Sequence, residues 1–189
     1  FENLQQDSLT TYNLDNLSFK FNRPWGFPVR YHDIESLTDL YMPDLLEIHL
    51  SYSDLNLNTS EYFNKKYNLD LVVHAPELFE NDFILDLCSD DNKIRKKSID
   101  LSKKVIDHAL NLKDYFETKL IPKIIFNVGG FSQKNFLTKE EIEQKYDFFS
   151  SSIESLLSTE YEFLPQTMPP FPWHFGGQQF HNLFNNGFW

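Results

Sequence analysis

Leu69-Asp70-Leu71-Val72-Val73-His74-Ala75 is a nearly continuous apolar run, the pattern of a strand buried on both faces of a parallel sheet. Downstream of it, Ile94, Ser98, Leu101, Val105, His108 and Leu112 step by four and three. That spacing predicts a largely apolar helical stripe flanked by Arg95, Lys96, Lys97 and Lys103. Lys123 to Val128 is another short apolar strand, and Thr138-Lys139-Glu140-Glu141 is a capping box. The helix it opens turns Ile142, Tyr146, Phe149, Ile153 and Leu156 inward, and Tyr161 to Leu164 supplies the next strand. Upstream, Gly26-Phe27-Pro28-Val29-Arg30-Tyr31 alternates, Asp33 stands where it caps a helix through Ile34, Leu37 and Leu40, and Leu45 to Ser51 is a further strand. Tyr52 to Tyr67 reads as an Asn-rich loop with a short helix. Short strands alternating with helices predict an α/β fold built from βαβ units on a parallel sheet, an order that a flavodoxin-like open sheet shares.

Alternation also predicts which side chains leave the helix side of the sheet. If Phe27, Val29 and Tyr31 face the helices, Arg30 and His32 face away; if Leu46, Ile48 and Leu50 do, then Glu47, His49 and Ser51 do not. His74 closes the third strand, Asn127 lies near the end of the fourth, and Gln166 follows the fifth. Five strands thus end in polar groups, at the carboxyl ends where barrel enzymes place their active sites. Glu47 beside His49 admits two readings, an internal ion pair with Arg30 or a catalytic carboxylate, since a buried carboxylate needs a partner. His108 is different, because it sits on a helical stripe away from any strand end; it is read as packing or as a helix C-terminal charge interaction.

The segment from Leu164 to His181 holds four prolines within eight residues, at 165, 169, 170 and 172, and the pair Gly176-Gly177. Proline forbids regular helix there, so a stiff loop is specified. Trp173 and Phe175 offer flat faces for a sugar ring, and His174 and Gln178 offer hydrogen bonds to its hydroxyls. The alternative is a proline-rich lid that packs aromatic rings on the end of the sheet.

The chain has 189 residues, a net charge of −11 and a pI of about 4.9, with no long basic run. This excludes a nucleic-acid backbone as the main partner. Cys88 is the only cysteine, so no internal disulfide forms, and nothing reads as a secretion signal or a membrane-spanning stretch. A cytoplasmic setting is expected. The polar stretch at 1–22 reads as a linker from a preceding domain, and the termini Phe1 and Trp189 read as cuts in a longer parent chain.

Val72-Val73-His74-Ala75-Pro76-Glu77, then Asp90 and Asp91 followed by Arg95, Ser98 and Ile99, then Phe126-Asn127-Val128-Gly129-Gly130, resemble the xylose isomerase-like and apurinic endonuclease-type barrels. These include sugar-phosphate isomerases and epimerases. The opening from Arg23 to Asp33 is similar to a domain appended to long sialic acid synthase-like proteins of surface-polysaccharide pathways. The resemblance implies a (β/α)8 TIM barrel over residues 23–189 with about five βα units present, since a closed barrel takes roughly 250 residues. It further implies a small-molecule sugar or sugar phosphate as ligand, with Glu47 or His74 as general base and Arg30 or His49 on the enediolate oxygen. Asn127, Gln166, Trp173, His174 and Gln178 complete the expected substrate contacts, and the neighbouring domains of a parent synthase are the expected protein partners. A catalytically silent, metal-free sugar-binding barrel is the alternative. The resembled barrels hold a divalent metal on His and carboxylates, of which His74 and Glu47 remain here. Asn127 and Gln166 stand at two expected ligand positions, and neutral amides are the weaker ligands.

Overall fold

The computed structural model describes residues 23–117, 120–131 and 137–166. The expected linker at 1–22 and the proline-rich segment from 167 onward lie outside the described residues. Five strands form one sheet, β1 (Gly26–Val29), β2 (Leu45–His49), β3 (Asp70–His74), β4 (Lys123–Phe126) and β5 (Glu162–Pro165), all parallel and in the order β1-β2-β3-β4-β5. A flavodoxin-like sheet would place its second strand outside the first. Here every new strand adds on the same side of the last, which is not the flavodoxin-like order. With right-handed crossovers, such a sheet carries its helices on one face. They are α1 (Ile34–Tyr41), α2 (Asn92–Lys113) and α3 (Lys139–Ile153).

That face is the core. Leu46, Ile48, Val73, Ile124 and Phe126 are fully buried, and Val105, Ala109 and Leu112 of α2 meet them with equally complete burial. Each aliphatic or aromatic side chain so buried contributes about 1.5–3 kcal/mol. The opposite parity of the same strands, with Leu45, Glu47, His49, Val72, Lys123 and Ile125, is only half-buried.

The helices form where expected but turn differently. In α2 the buried stripe runs Ser98, Ser102, Val105, Ala109, Leu112, with His108 beside it, while Ile94 is exposed. In α3, Tyr146 is 53 % exposed and Lys145 is buried in its place. The cause is what α3 faces: its inner side meets the polar loop after β3, where the Lys145 ammonium lies 3.7 Å from Asp90 and Ser152 Oγ lies 2.8 Å from the Leu87 carbonyl. The Thr138–Glu141 capping box is present as read. In α1, Leu40 is exposed and Thr38 takes the inner position, its hydroxyl donating back to the Ile34 carbonyl. Asp33 stands at the N-cap position without a side-chain hydrogen bond. The loop after β2 forms two short 3-10 turns, Tyr52–Asn56 and Thr59–Glu61.

His108 is a packing residue. Its Nε2 is hydrogen-bonded to the Tyr31 hydroxyl, and burial pushes the tyrosine pKa up and the histidine pKa down. No charge on His108 is favoured, so the helix-terminus interaction is set aside. A second tether fixes the turn after β4: the buried Asp86 carboxylate accepts from the backbone N–H of Cys88 at 3.0 Å and of Gly130 at 2.9 Å. Gly129 has φ of +87°, and a Cβ there would lie 2.4 Å from Asp86 Oδ1. Each outer strand carries one proline, Pro28 in β1 and Pro165 in β5. The bonds from Leu45 N to the Trp25 carbonyl and from Gln166 N to the Phe126 carbonyl turn both ring nitrogens away from the neighbouring strand, onto the outer edges.

Gly129→Ala should cost about 3 kcal/mol of stability, read by urea denaturation, because strain and clash act together. A neutral buried His108 binds fewer protons folded than unfolded. Its contribution is therefore complete above the unfolded pKa of about 6.5 and is lost as pH falls below that value. His108→Gln should flatten the stability slope between pH 7 and pH 5, measured by denaturation at each pH.

Candidate functional site

The register between β2 and β3 places His49 opposite His74. Parallel strands lie about 4.8 Å apart, so side chains of one row stand that far from each other. The two imidazoles are stacked accordingly, with centroids 4.6 Å apart and planes inclined by 15°. Two residues earlier on the same face of β2, Glu47 lies one step below His49, and its Oε1 is 2.7 Å from His49 Nε2. Both side chains are about one-third exposed. Arg30 follows β1 and donates from Nη1 to the His49 backbone carbonyl at 2.6 Å. Gln166 follows β5, and its side-chain amide reaches His74 Nε2 at 3.2 Å. Four residues singled out from strand parity, Glu47, His49, His74 and Gln166, thus form one connected cluster, with Arg30 at its margin.

Hydrogen-bond chemistry assigns the protons. A carboxylate only accepts, so His49 donates from Nε2–H to Glu47, and a neutral His49 carries its lone pair on Nδ1. That nitrogen has no partner among the described residues. His74 Nδ1 lies 2.9 Å from the Ala75 carbonyl, which also only accepts, so Nδ1 carries the proton of His74. Its Nε2 lies 3.2 Å from Gln166 Oε1, so both ring nitrogens of His74 stand against oxygen atoms. His74 is contacted on both ring nitrogens, whereas Nδ1 of His49 has no hydrogen-bond partner among the described residues.

The ion pair between Arg30 and Glu47 does not form; His49 holds the carboxylate instead. His32 is exposed in the 3-10 turn Tyr31–Asp33, because β1 ends at Val29 and the alternation stops there. Ser51 caps the turn after β2, exchanging hydrogen bonds with Asp54. Asn127 is half-buried, its Oδ1 turned to Gly129 N at 3.4 Å. Trp173, His174 and Gln178 lie outside the described residues. Two features of the site were missed from the sequence. Lys123 and Glu162 share the inner parity and pair at 2.6 Å, one row below the histidines. Asp86, which anchors the turn carrying Asn127, gave no signal apart from the following Gly-Gly pair.

A metal ion needs donor lone pairs that converge on one point. Imidazole lone pairs lie in the ring plane, so two near-parallel stacked rings do not aim at one point. Both nitrogens of His74 are engaged, and Glu47 is held by His49. Among the described residues, no three His, Cys, Asp or Glu side chains are placed to hold a metal ion. These residues do not fit a divalent metal.

Comparison with known proteins yields no matching family model and no matching curated protein. Among the described residues, no helix is long and apolar enough to cross a membrane.

The proton assignment is open to measurement. Side-chain 15N shifts of His49 should report the Nε2–H tautomer, and Glu47→Ala should convert it to a tautomer mixture at a stability cost of about 1 kcal/mol. An unchanged His49 spectrum in that variant would remove Glu47 from the cluster.

Proposed function

We propose that the chain is the amino-terminal part of a xylose isomerase-like (β/α)8 barrel whose carboxyl-end cluster binds a sugar and moves a proton on it, as an isomerase or epimerase does. The consecutive parallel strand order supports the barrel, since each strand of a (β/α)8 barrel is added beside the last. The resemblance in the His74-Ala75-Pro76 turn and the Gly129-Gly130 turn supports the family, and with it a role in the biosynthesis of surface carbohydrates as one domain of a longer synthase-like protein. The observation that carries the chemistry is the Glu47–His49 pair: a carboxylate fixes the tautomer of an imidazole and leaves its other nitrogen available.

In this reading His49 Nδ1 takes the proton from the carbon beside the sugar carbonyl. The electron pair of that C–H bond moves into an enediolate, and Glu47 stabilises the imidazolium that forms. Arg30, whose guanidinium keeps further N–H groups beyond the one on the His49 carbonyl, stabilises the enediolate oxygen. Returning the proton to the neighbouring carbon, as the hydroxyl proton passes from the second oxygen to the first, gives the isomer; returning it to the opposite face of the original carbon gives the epimer. No metal enters these steps. The sequence-based assignment of Glu47 or His74 as base thereby shifts to His49, with Glu47 as its positioning residue.

A second reading is favoured by the saturated hydrogen bonding of His74: a barrel that binds a sugar without turning it over. Incubating the full-length protein with aldoses and ketoses in D2O separates the two. Proton transfer should exchange the hydrogen next to the carbonyl, visible by NMR; His49→Ala should slow this at least 100-fold, and Glu47→Gln about 10-fold. Sugar binding without any exchange would establish the silent reading.

A further inference from the structure

We infer that Tyr31 and His108 are positioning residues of the cluster: the hydrogen bond between them fixes the turn after β1, and through that turn it keeps the Arg30 guanidinium on the His49 carbonyl. The placement of Arg30 stands on geometry alone, while its effect on proton transfer rests on the isomerase or epimerase reading above.

The ladder between β1 and β2 ends with Val29 opposite Ile48, so Arg30 lies one step beyond the last paired residue. Its side chain still reaches β2, with Nη1 2.6 Å from the His49 carbonyl oxygen. Ordering so long a side chain costs rotamer entropy, and a moving backbone would add to that cost. The strand gives little hold of its own, because β1 has four residues, lies at the outer edge of the sheet and exposes Gly26 and Pro28. The residue after Arg30 supplies the hold. Tyr31 is buried, with its ring centroid 5.4 Å from that of Phe63, edge-on, and 5.5 Å from that of Tyr62. Its hydroxyl meets Nε2 of His108, 77 positions along the chain on α2. There Val105, Ala109 and Leu112 are fully buried, so the far end of the tether is fixed in the core. Within the turn, Asp33 N donates to the Arg30 carbonyl at 3.0 Å.

Packing alone does not require this pair. Two apolar side chains of similar shape would fill the same space without the cost of desolvating a hydroxyl and an imidazole. What the polar pair adds is direction, since a hydrogen bond sets a distance and an angle where apolar surfaces can slide. Burial pushes the tyrosine pKa up and the histidine pKa down, which keeps both partners uncharged and the bond intact near neutral pH. The carbonyl that Arg30 grips belongs to His49, the residue whose imidazole takes the proton in the reading above. One contact therefore sets the guanidinium beside the reacting ring, and stabilisation of a developing oxyanion falls steeply with small displacements of its donor.

The test compares Tyr31→Phe, which keeps the ring and removes the hydroxyl, with Tyr31→Phe/His108→Leu, which leaves neither partner buried and unpaired and so returns stability toward that of the parent. NMR of the isotope-labelled full-length protein reads the His49 carbonyl 13C signal and the Arg30 Nη signals, and Arg30→Gln defines the loss of the contact. Both Tyr31 variants should move the carbonyl signal most of the way to its Arg30→Gln position, also where stability recovers. A carbonyl signal unmoved in both variants, or restored together with stability in the second, overturns the inference and leaves the pair to packing. Hydrogen exchange into glucose, mannose and fructose in D2O gives the second arm. Tyr31→Phe should lower kcat about fivefold with KM changed by less than about twofold, and should add nothing once Arg30→Gln is present. Losses that multiply in the Tyr31→Phe/Arg30→Gln variant overturn the action through Arg30. Absence of exchange into all three sugars by the parent protein counts against the isomerase or epimerase reading, and the carbonyl signal then decides the inference by itself.

Discussion

The hydrogen-bonded register of β2 against β3 is the constraint on which the site depends. It places His49 and His74 in one row, and the spacing of parallel strands then sets the distance between their rings without any further device. Sliding one strand by one residue would send its histidine into the packed face, where Ile48 and Val73 now lie fully buried, and leave the other alone in its row. The apolar residues that hold the sheet to its helices therefore also hold the polar cluster in line, although none of them touches it. Core stability and site geometry are two results of one alternation.

Around that row the loops divide the work. Arg30 and Gln166 come from the ends of two different strands, so the cluster exists only once β1 and β5 are in place. The buried Asp86 carboxylate does for the turn after β4 what the strand ladder does for β2 and β3. Burial pushes its pKa up while the two backbone N–H donors pull it down, and the compromise keeps a tight Gly129-Gly130 turn against the loop that precedes α2. The result is a site whose frame is buried and whose reacting groups are half-open.

Strand parity was readable because a two-residue period is unambiguous once one face is apolar: Leu46 and Ile48 decide where Glu47 and His49 point. Helix faces were harder. In α3 the sequence favours Tyr146 as the inward residue, but the surface it meets is polar, and Lys145 wins the position through Asp90. In α1 the same holds for Thr38 against Leu40, since the hydroxyl can return its hydrogen bond to Ile34. Which partner Glu47 would choose was also beyond the sequence, because Arg30 and His49 are both within reach of a carboxylate on that strand. The choice is made by side-chain direction: His49 shares the strand and the face, whereas Arg30 turns to a backbone carbonyl. Asp86 was missed for a related reason, as its partners are backbone N–H groups that leave no pattern in the residue types.

The two prolines at the outer strands bear on how this chain behaves in a crowded solution. An uncovered strand edge invites another polypeptide to extend the ladder, and such growth is how sheet proteins precipitate or form fibres. Pro28 and Pro165 each withhold a donor on the outward side, so any strand that pairs there, from this protein or another, would find one missing rung. Each outer strand thus offers a foreign chain a weaker ladder than an unbroken one would, while a strand held in place by its own fold can do without the one bond.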